Sequence, residues 1–244
     1  MAATVDPAGL LTRLAAIEDR LACSNGERLA ARQATRELRG IGRRGVRTQT
    51  QWVRPTGALV AAALAVAGVA GSVVSVDHPV AGLVVVVAAL ALLAGDLSGR
   101  APLLRRLTYG RATQNVVSTG GREDASVRLI ITAALDTPRG GILDGGGATA
   151  RTLARARRAL GGHLPGRYGV LAGALVATAA CAGARVGGID GRWLGAVQLV
   201  PTLALLAAAG LLTDAATARA GTSGAGANAS AAAVALALVA ALDR

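Results

Sequence analysis

The period of the hydrophobic pattern changes several times along the chain. Near the N-terminus Leu10, Leu14, Ile17 and Leu21 recur at helical spacing. "SNGE" at 24–27 reads as a capping box opening a second helix, whose apolar stripe is Ala30, Ala34, Leu38 and Ile41. "VRTQTQWV" (46–53) then alternates as a half-exposed strand does. From 57 to 76, "GALVAAALAVAGVAGSVVSV" runs 20 residues without a charge, the length a bilayer core requires. Past the turn Asp77-His78-Pro79 a second apolar run covers 80–94, so the two predict a membrane hairpin. Runs at 168–184 and 194–213 predict another, joined by a short polar loop (185–193) with Trp193 at the interface. The predicted division is 1–56, hairpin 57–95, 96–167, hairpin 168–213, and 214–244.

The segments between the hairpins are not linker-like. "TQNVVS" (113–118), a polar turn (119–126) and "VRLIITAA" (127–134) predict two neighbouring strands, and hence a folded α/β element. Asp136 follows the second strand, between Leu135 and Thr137-Pro138, where capping a turn is a sufficient reason for a carboxylate. "RTLARARRAL" (151–160) puts Arg151, Arg155 and Arg158 on one helical face and Leu153, Ala156 and Leu160 on another. Such a helix either lies on the inner leaflet, held by anionic headgroups at about 1 kcal/mol per Arg, or is an ordinary solvated one. The last apolar run, 225–242, is 18 residues without a charge and reads either as a fifth span or as an Ala-rich soluble helix interrupted by Asn228 and Ser230.

Composition narrows this picture. Of 244 residues 52% are hydrophobic but only 2% aromatic, with no Phe, which suits lipid-facing helices at least as well as a large soluble core. The formal charge is +12 and every cation is Arg; the absence of Lys excludes a Schiff-base lysine, a Walker-type phosphate loop and a Ser-Lys dyad. The arginines are not interleaved with aromatics that would stack on bases, so nucleic acid is not an expected partner. Cys23 and Cys181 share no metal or redox spacing and read as buried thiols; His78 and His163, each shortly before a proline, read as turn residues. Ten arginines precede residue 57, none lies in the turn after 76, and twelve lie between 96 and 167. By the positive-inside rule both termini and the α/β segments are expected on the cytoplasmic side of an inner cell membrane.

With the spans removed, the remaining pieces resemble a known family. "CSNGERLAARQATRELRGIG", the strand "VRTQTQWV", "QNVVS", "VRLIITAALD" and "GAGANASAAAVALALVAAL" are similar, in order and in spacing, to the front half of the dinuclear zinc aminopeptidases of the aminopeptidase Y type. Members carry motifs close to G-S-x-G-E-R-x-A-A, N-V-V-A, V-V-V-x-A-H-Y-D-S and G-A-N-D-N-A-S-G. The resemblance covers roughly half of the chain. It implies a partial α/β exopeptidase-like domain combined with membrane α-helical hairpins. In the family the His of H-Y-D binds one zinc, the Asp two residues later orients that His, and the Asp of N-D-N bridges both metals. Those ligand positions are Ala134 and Ala227 in this sequence, while Asp136, Asn228 and Ser230 match.

Alanine ligates nothing. Asp136 then reads as a remnant that once oriented a ligand from behind, or simply as the turn cap described above. The family's remaining ligands and its Glu general base follow the last motif, and the sequence runs only 14 residues past Ser230. Zinc, the family's cofactor, is therefore not expected here. The leading expectation is a multi-pass membrane protein with a non-catalytic, peptidase-like scaffold or interaction domain, its partners the bilayer and a protein or missing C-terminal half. Two alternatives stand beside it: the N-terminal part of an active membrane metallopeptidase, and a channel-like or transporter bundle, which would be expected to bury charges along a pathway.

Overall fold

A computed structural model describes residues 6–43, 45–120, 126, 129–137, 139, 141–142, 147–148, 151–152, 155, 158, 166–218 and 228–242. The chain divides into two compact units, each built from discontinuous segments. A polar unit comprises Met1–Pro55, Gly110–Gly140 and Ala218–Arg244; a helical unit comprises Thr56–Tyr109 and Gly141–Thr217. The predicted middle segment, 96–167, is thus shared between them.

The helical unit holds four helices long and apolar enough to cross a membrane: α3 (Gly57–Asp77), α4 (Pro79–Leu97), α6 (Arg167–Val186) and α7 (Arg192–Thr217). A short α5 (Leu103–Arg106) follows α4. His78 alone links α3 to α4, and Pro79 opens α4 at a position where its missing N–H costs nothing. α3 packs on α4 and α7, and α6 packs on the same two. Between them lie Leu64, Val86, Leu93, Leu171, Leu175, Leu205 and Leu212 with many alanines, whereas Val66, Val73, Val80, Val84, Val176 and Val200 face outward. Apolar side chains on the outer as well as the inner faces suit a bundle surrounded by lipid, where close packing and interhelical hydrogen bonds take over from the hydrophobic effect.

That close packing is tightest between α3 and α4. A Cβ at Gly82 would stand 2.4 Å from the Cβ of Ser75 and 2.5 Å from its Cα, and one at Gly71 would stand 2.7 Å from Val86 Cγ2 and 3.1 Å from the Gly82 carbonyl oxygen.

The polar unit contains α1 (Pro7–Ala15), α2 (Asn25–Gly40), strands β1 (Arg47–Val53) and β2 (Arg111–Val117), and α8 (Ala229–Leu242). Leu10 and Leu14 of α1, Ala30, Ala34 and Leu38 of α2, and Ala229, Ala232, Ala233 and Leu236 of α8 form its core. Leu10 and Leu14, and Ala30, Ala34 and Leu38, therefore bury as expected, but α1 ends at Ala15, so Ile17 lies past its end at the margin of the core, Leu21 is half-buried in the loop that follows, and Ile41 is at the margin just beyond α2. At 14 residues α8 is about 21 Å long, short of the ~30 Å of a hydrocarbon core, and one of its faces is occupied by α1 and α2.

The sheet departs from expectation. β2 pairs antiparallel with β1, Arg47 opposite Val117 through Val53 opposite Arg111, and not with the described part of the predicted strand, 129–134. Residues 129–134 lie outside any strand, and Leu129 and Ile130 are 68% and 77% exposed. β-Branched residues favour a strand only where a neighbour supplies the ladder and the packing, and among the described residues no strand pairs with this segment. β1 also lacks the predicted alternation: Trp52 is 77% exposed, and only Gln49 and Val53 are partly covered.

Gly82→Ala is expected to lower the thermal stability of the detergent-solubilised protein by about 1–3 kcal/mol, since the methyl group meets backbone as well as side chain. Gly173→Ala, on an exposed helical position with open space around it, should be neutral or stabilising by up to about 1 kcal/mol. Parallel melting curves of the two variants check the contrast.

Candidate functional site

In the polar unit the loop between α1 and α2 is folded back tightly on itself. Ser24 caps α2, accepting from Glu27 N–H at 3.1 Å and donating to the Asp19 carbonyl at 2.7 Å. The Glu27 half of the predicted capping box reaches one residue further than the motif requires, accepting from Cys23 N–H at 2.6 Å. Glu27 is buried, and its second oxygen accepts the Thr113 hydroxyl of β2. Gly26 is obligatory, because a Cβ there would stand 2.4 Å from the Asp19 carbonyl oxygen. Asp19 and Cys23 adopt φ of 48° and 64°, in the left-handed region that most side chains avoid.

This loop carries the segment around Asp136. Thr137 N–H donates to the Arg20 carbonyl at 2.6 Å, the Arg20 guanidinium donates to the Leu135 carbonyl at 3.2 Å, and Leu21 and Thr137 form an isolated parallel bridge. From the other side the Asn228 amide donates to the Asp136 carbonyl at 2.6 Å. Asn228 has φ 47° at the start of α8, a conformation that Asn tolerates better than most residues. Arg20 is 1% exposed. Burial pulls its pKa below the usual guanidinium range, and the negative charge of Asp136 opposes that fall. Burial also pushes the Cys23 thiol up, helped by Glu27 and Asp136 and opposed by Arg111 and Arg139.

The structure thus brings Asp136 and Asn228 together. Ala134 and Ser230 are exposed, and Ala227 lies outside the described residues. The donors do not fit zinc: Ala134 offers no ligand, the Asp136 carboxylate has a guanidinium for a neighbour, and among the described residues no three His, Cys, Asp or Glu side chains cluster to hold a metal ion. Arg151, Arg155 and Arg158 are exposed at helical positions, while Leu153, Ala156 and Leu160 lie outside the described residues.

A second polar constellation, absent from the sequence-based expectations, sits in the helical unit at the end carrying both hairpin turns. Gln198 of α7 donates to the Ser72 carbonyl and to the Ser72 and Ser75 hydroxyls of α3, all at 2.8–2.9 Å. Its amide oxygen accepts from Arg185 Nε of α6 at 3.1 Å, and Arg185 Nη1 pairs with Asp190 at 2.7 Å. At the opposite ends of the helices Asp96 is buried in a two-pronged ion pair with Arg105. The apolar runs end just before both Asp96 and Arg185, so each charge reads as loop in sequence; the helices extend past them and bury them. Gln198, a polar amide inside a predicted span, was the available signal.

Comparison with protein-family models, curated proteins and solved structures finds no match to this chain.

Asn228→Gly is expected to destabilise the contact with residue 136 by about 0.5–1.5 kcal/mol through the lost hydrogen bond alone. Asn228→Ala should cost about 1–2 kcal/mol more, because alanine also resists the left-handed backbone. Hydrogen exchange at 129–137 in the two variants separates the contributions.

In a Cys181→Ser background, Cys23 should react with iodoacetamide more slowly than a free thiol throughout the mildly alkaline range, its pH midpoint lying above the ordinary value. The linked stability falls as pH rises through the ordinary thiol range, since the unfolded chain releases that proton first.

Proposed function

We propose that this chain is a multi-pass membrane protein whose polar unit is a degenerate relative of the zinc aminopeptidases, acting as a non-catalytic interaction or scaffold domain. The observation that carries the reading is the hydrogen bond from Asn228 to Asp136 across 92 positions of sequence. These residues come from the two motifs that form the metal centre in the family, and the contact supports a common ancestry for the fold around them. Where the family places its first ligand this chain has Ala134, exposed and without a donor.

The bilayer part of the reading rests on the four long apolar helices. They come as α3–α4 between the first two segments of the polar unit and α6–α7 between the last two. An even number of spans per insertion returns the chain to the side it left, so all three segments of the polar unit share one compartment. The arginine distribution assigns that compartment to the cytoplasm. There the domain would meet its protein partner, while Arg151, Arg155 and Arg158 engage anionic headgroups of the inner leaflet.

Elemental analysis of the detergent-purified protein, with a panel of aminoacyl chromogenic substrates, tests the reading. The expected result is zinc far below stoichiometric and no turnover. Stoichiometric zinc with hydrolysis abolished by Asp136→Ala would overturn it and make the chain an enzyme with other ligands.

A further inference from the structure

At the turn end of the helical unit an open depression is lined by Val76, Arg185, Asp190, Gly191, Arg192 and Gly195. The Arg185 side chain is only 6% exposed, and its Nε and Nη1 are committed to Gln198 and Asp190. Its Nη2 has no hydrogen-bond partner among the described residues and lies over Gly195, where even a Cβ would be 3.8 Å away. Arg192 is exposed and makes no ion pair among the described residues. The same depression receives the N-terminus of the 26-residue α7, where the Leu194 and Gly195 N–H groups donate to the Gly191 carbonyl and the Gly191 N–H to Asp190, which leaves those of Arg192 and Trp193 to face the ligand. Two guanidiniums against the single carboxylate of Asp190 leave the cluster net positive.

We infer that this depression binds the phosphate of an anionic phospholipid from the leaflet at that end, the outer one in the proposed topology. Arg185 Nη2, the Arg192 guanidinium and the α7 N-terminus line one depression and together would supply the donors that suit a phosphate. Lipid is favoured over a soluble anion by the surroundings: Val76 contributes an apolar side chain to the lining, and Ile189 and Trp193, next in sequence to the lining residues Asp190 and Arg192, are 51% and 61% exposed as interfacial side chains are. The site is preorganised, because Gln198 and the α3 serines hold the buried guanidinium in place. The inference rests on the bilayer placement of the four helices and is independent of the peptidase resemblance.

Native mass spectrometry of the detergent-purified full chain, titrated with phosphatidylglycerol or phosphatidylcholine, tests it in an R151Q/R155Q/R158Q background that removes the other basic surface. One phosphatidylglycerol should be retained in preference to phosphatidylcholine. Arg192→Gln should weaken it about tenfold, the effect of losing one charge-assisted contact. Gly195→Leu should displace it without altering charge, and Asp190→Asn should strengthen it, an effect in the direction opposite to misfolding. Equal retention by wild type, R192Q and G195L would overturn the inference, as would competition by inorganic phosphate at the same concentration as the lipid. Recovery of the protein in the aqueous phase without detergent would overturn both this site and the bilayer placement, whereas detergent-dependent recovery without lipid preference would overturn the site alone.

Discussion

The close approach of α3 and α4 is the constraint from which the rest of the helical unit follows. Gly71 and Gly82 let the two backbones meet at Ser75 with no side chain between them. The serines of α3 then turn their carbonyl and hydroxyl groups toward α7 within reach of a single amide, that of Gln198. In a hydrocarbon environment those groups have no water to turn to, so satisfying them internally is a condition of folding. Gln198 in turn presents its oxygen to Arg185, and this fixes a buried guanidinium at the end of α6. Packing of the smallest residues thus places the most polar one. A larger residue at Gly82 would strain two helices and also withdraw the support on which the Arg185 geometry depends.

The polar unit obeys a different constraint. Its two-stranded sheet is largely exposed, and a sheet of that size is at best marginal by itself in water. Its burial comes instead from α1, α2 and α8 around one aliphatic cluster. The Asp136 segment is held by main-chain groups: Arg20 supplies both its carbonyl and its guanidinium, and Asn228 supplies an amide. Every one of these bonds involves backbone atoms of residues 135–137, so the local fold persists whatever the side chain at 134.

The sequence announced these elements unequally, for physical reasons. Runs without charge identify helices such as α3 because cost in lipid is a local property of composition. The stripes Leu10/Leu14 and Ala30/Ala34/Leu38 were legible because helical period is local too. Strand identity is not local: 127–134 has the composition of a buried strand, yet 129–134 forms none, while the polar "RTQTQWV" pairs with "RATQNVV". Polar residues at helix ends are similarly ambiguous. Asp96 and Arg185 mark where an apolar run stops, and only the partners Arg105 and Gln198, 9 and 13 positions away, show that the helix continues past them. Glu27 was legible as a cap but not as the acceptor of a hydroxyl 86 residues distant.

The electrostatics around Asp136 bear on the proposed kinship with a metal centre. A metal centre in that position would bring cations to a carboxylate; here the cation beside it is Arg20, buried and fixed by hydrogen bonding to the adjoining carbonyl. A guanidinium neutralises a carboxylate while filling the space with a planar group that is never deprotonated in practice and provides no vacant coordination position. A histidine introduced at 134 would therefore stand near a resident positive charge, which penalises a dication electrostatically. Any recovery of zinc binding would have to begin with Arg20, whose backbone carbonyl also anchors Thr137. In the proposed scaffold the same residue that holds the segment in place is the one whose charge would oppose a metal ion.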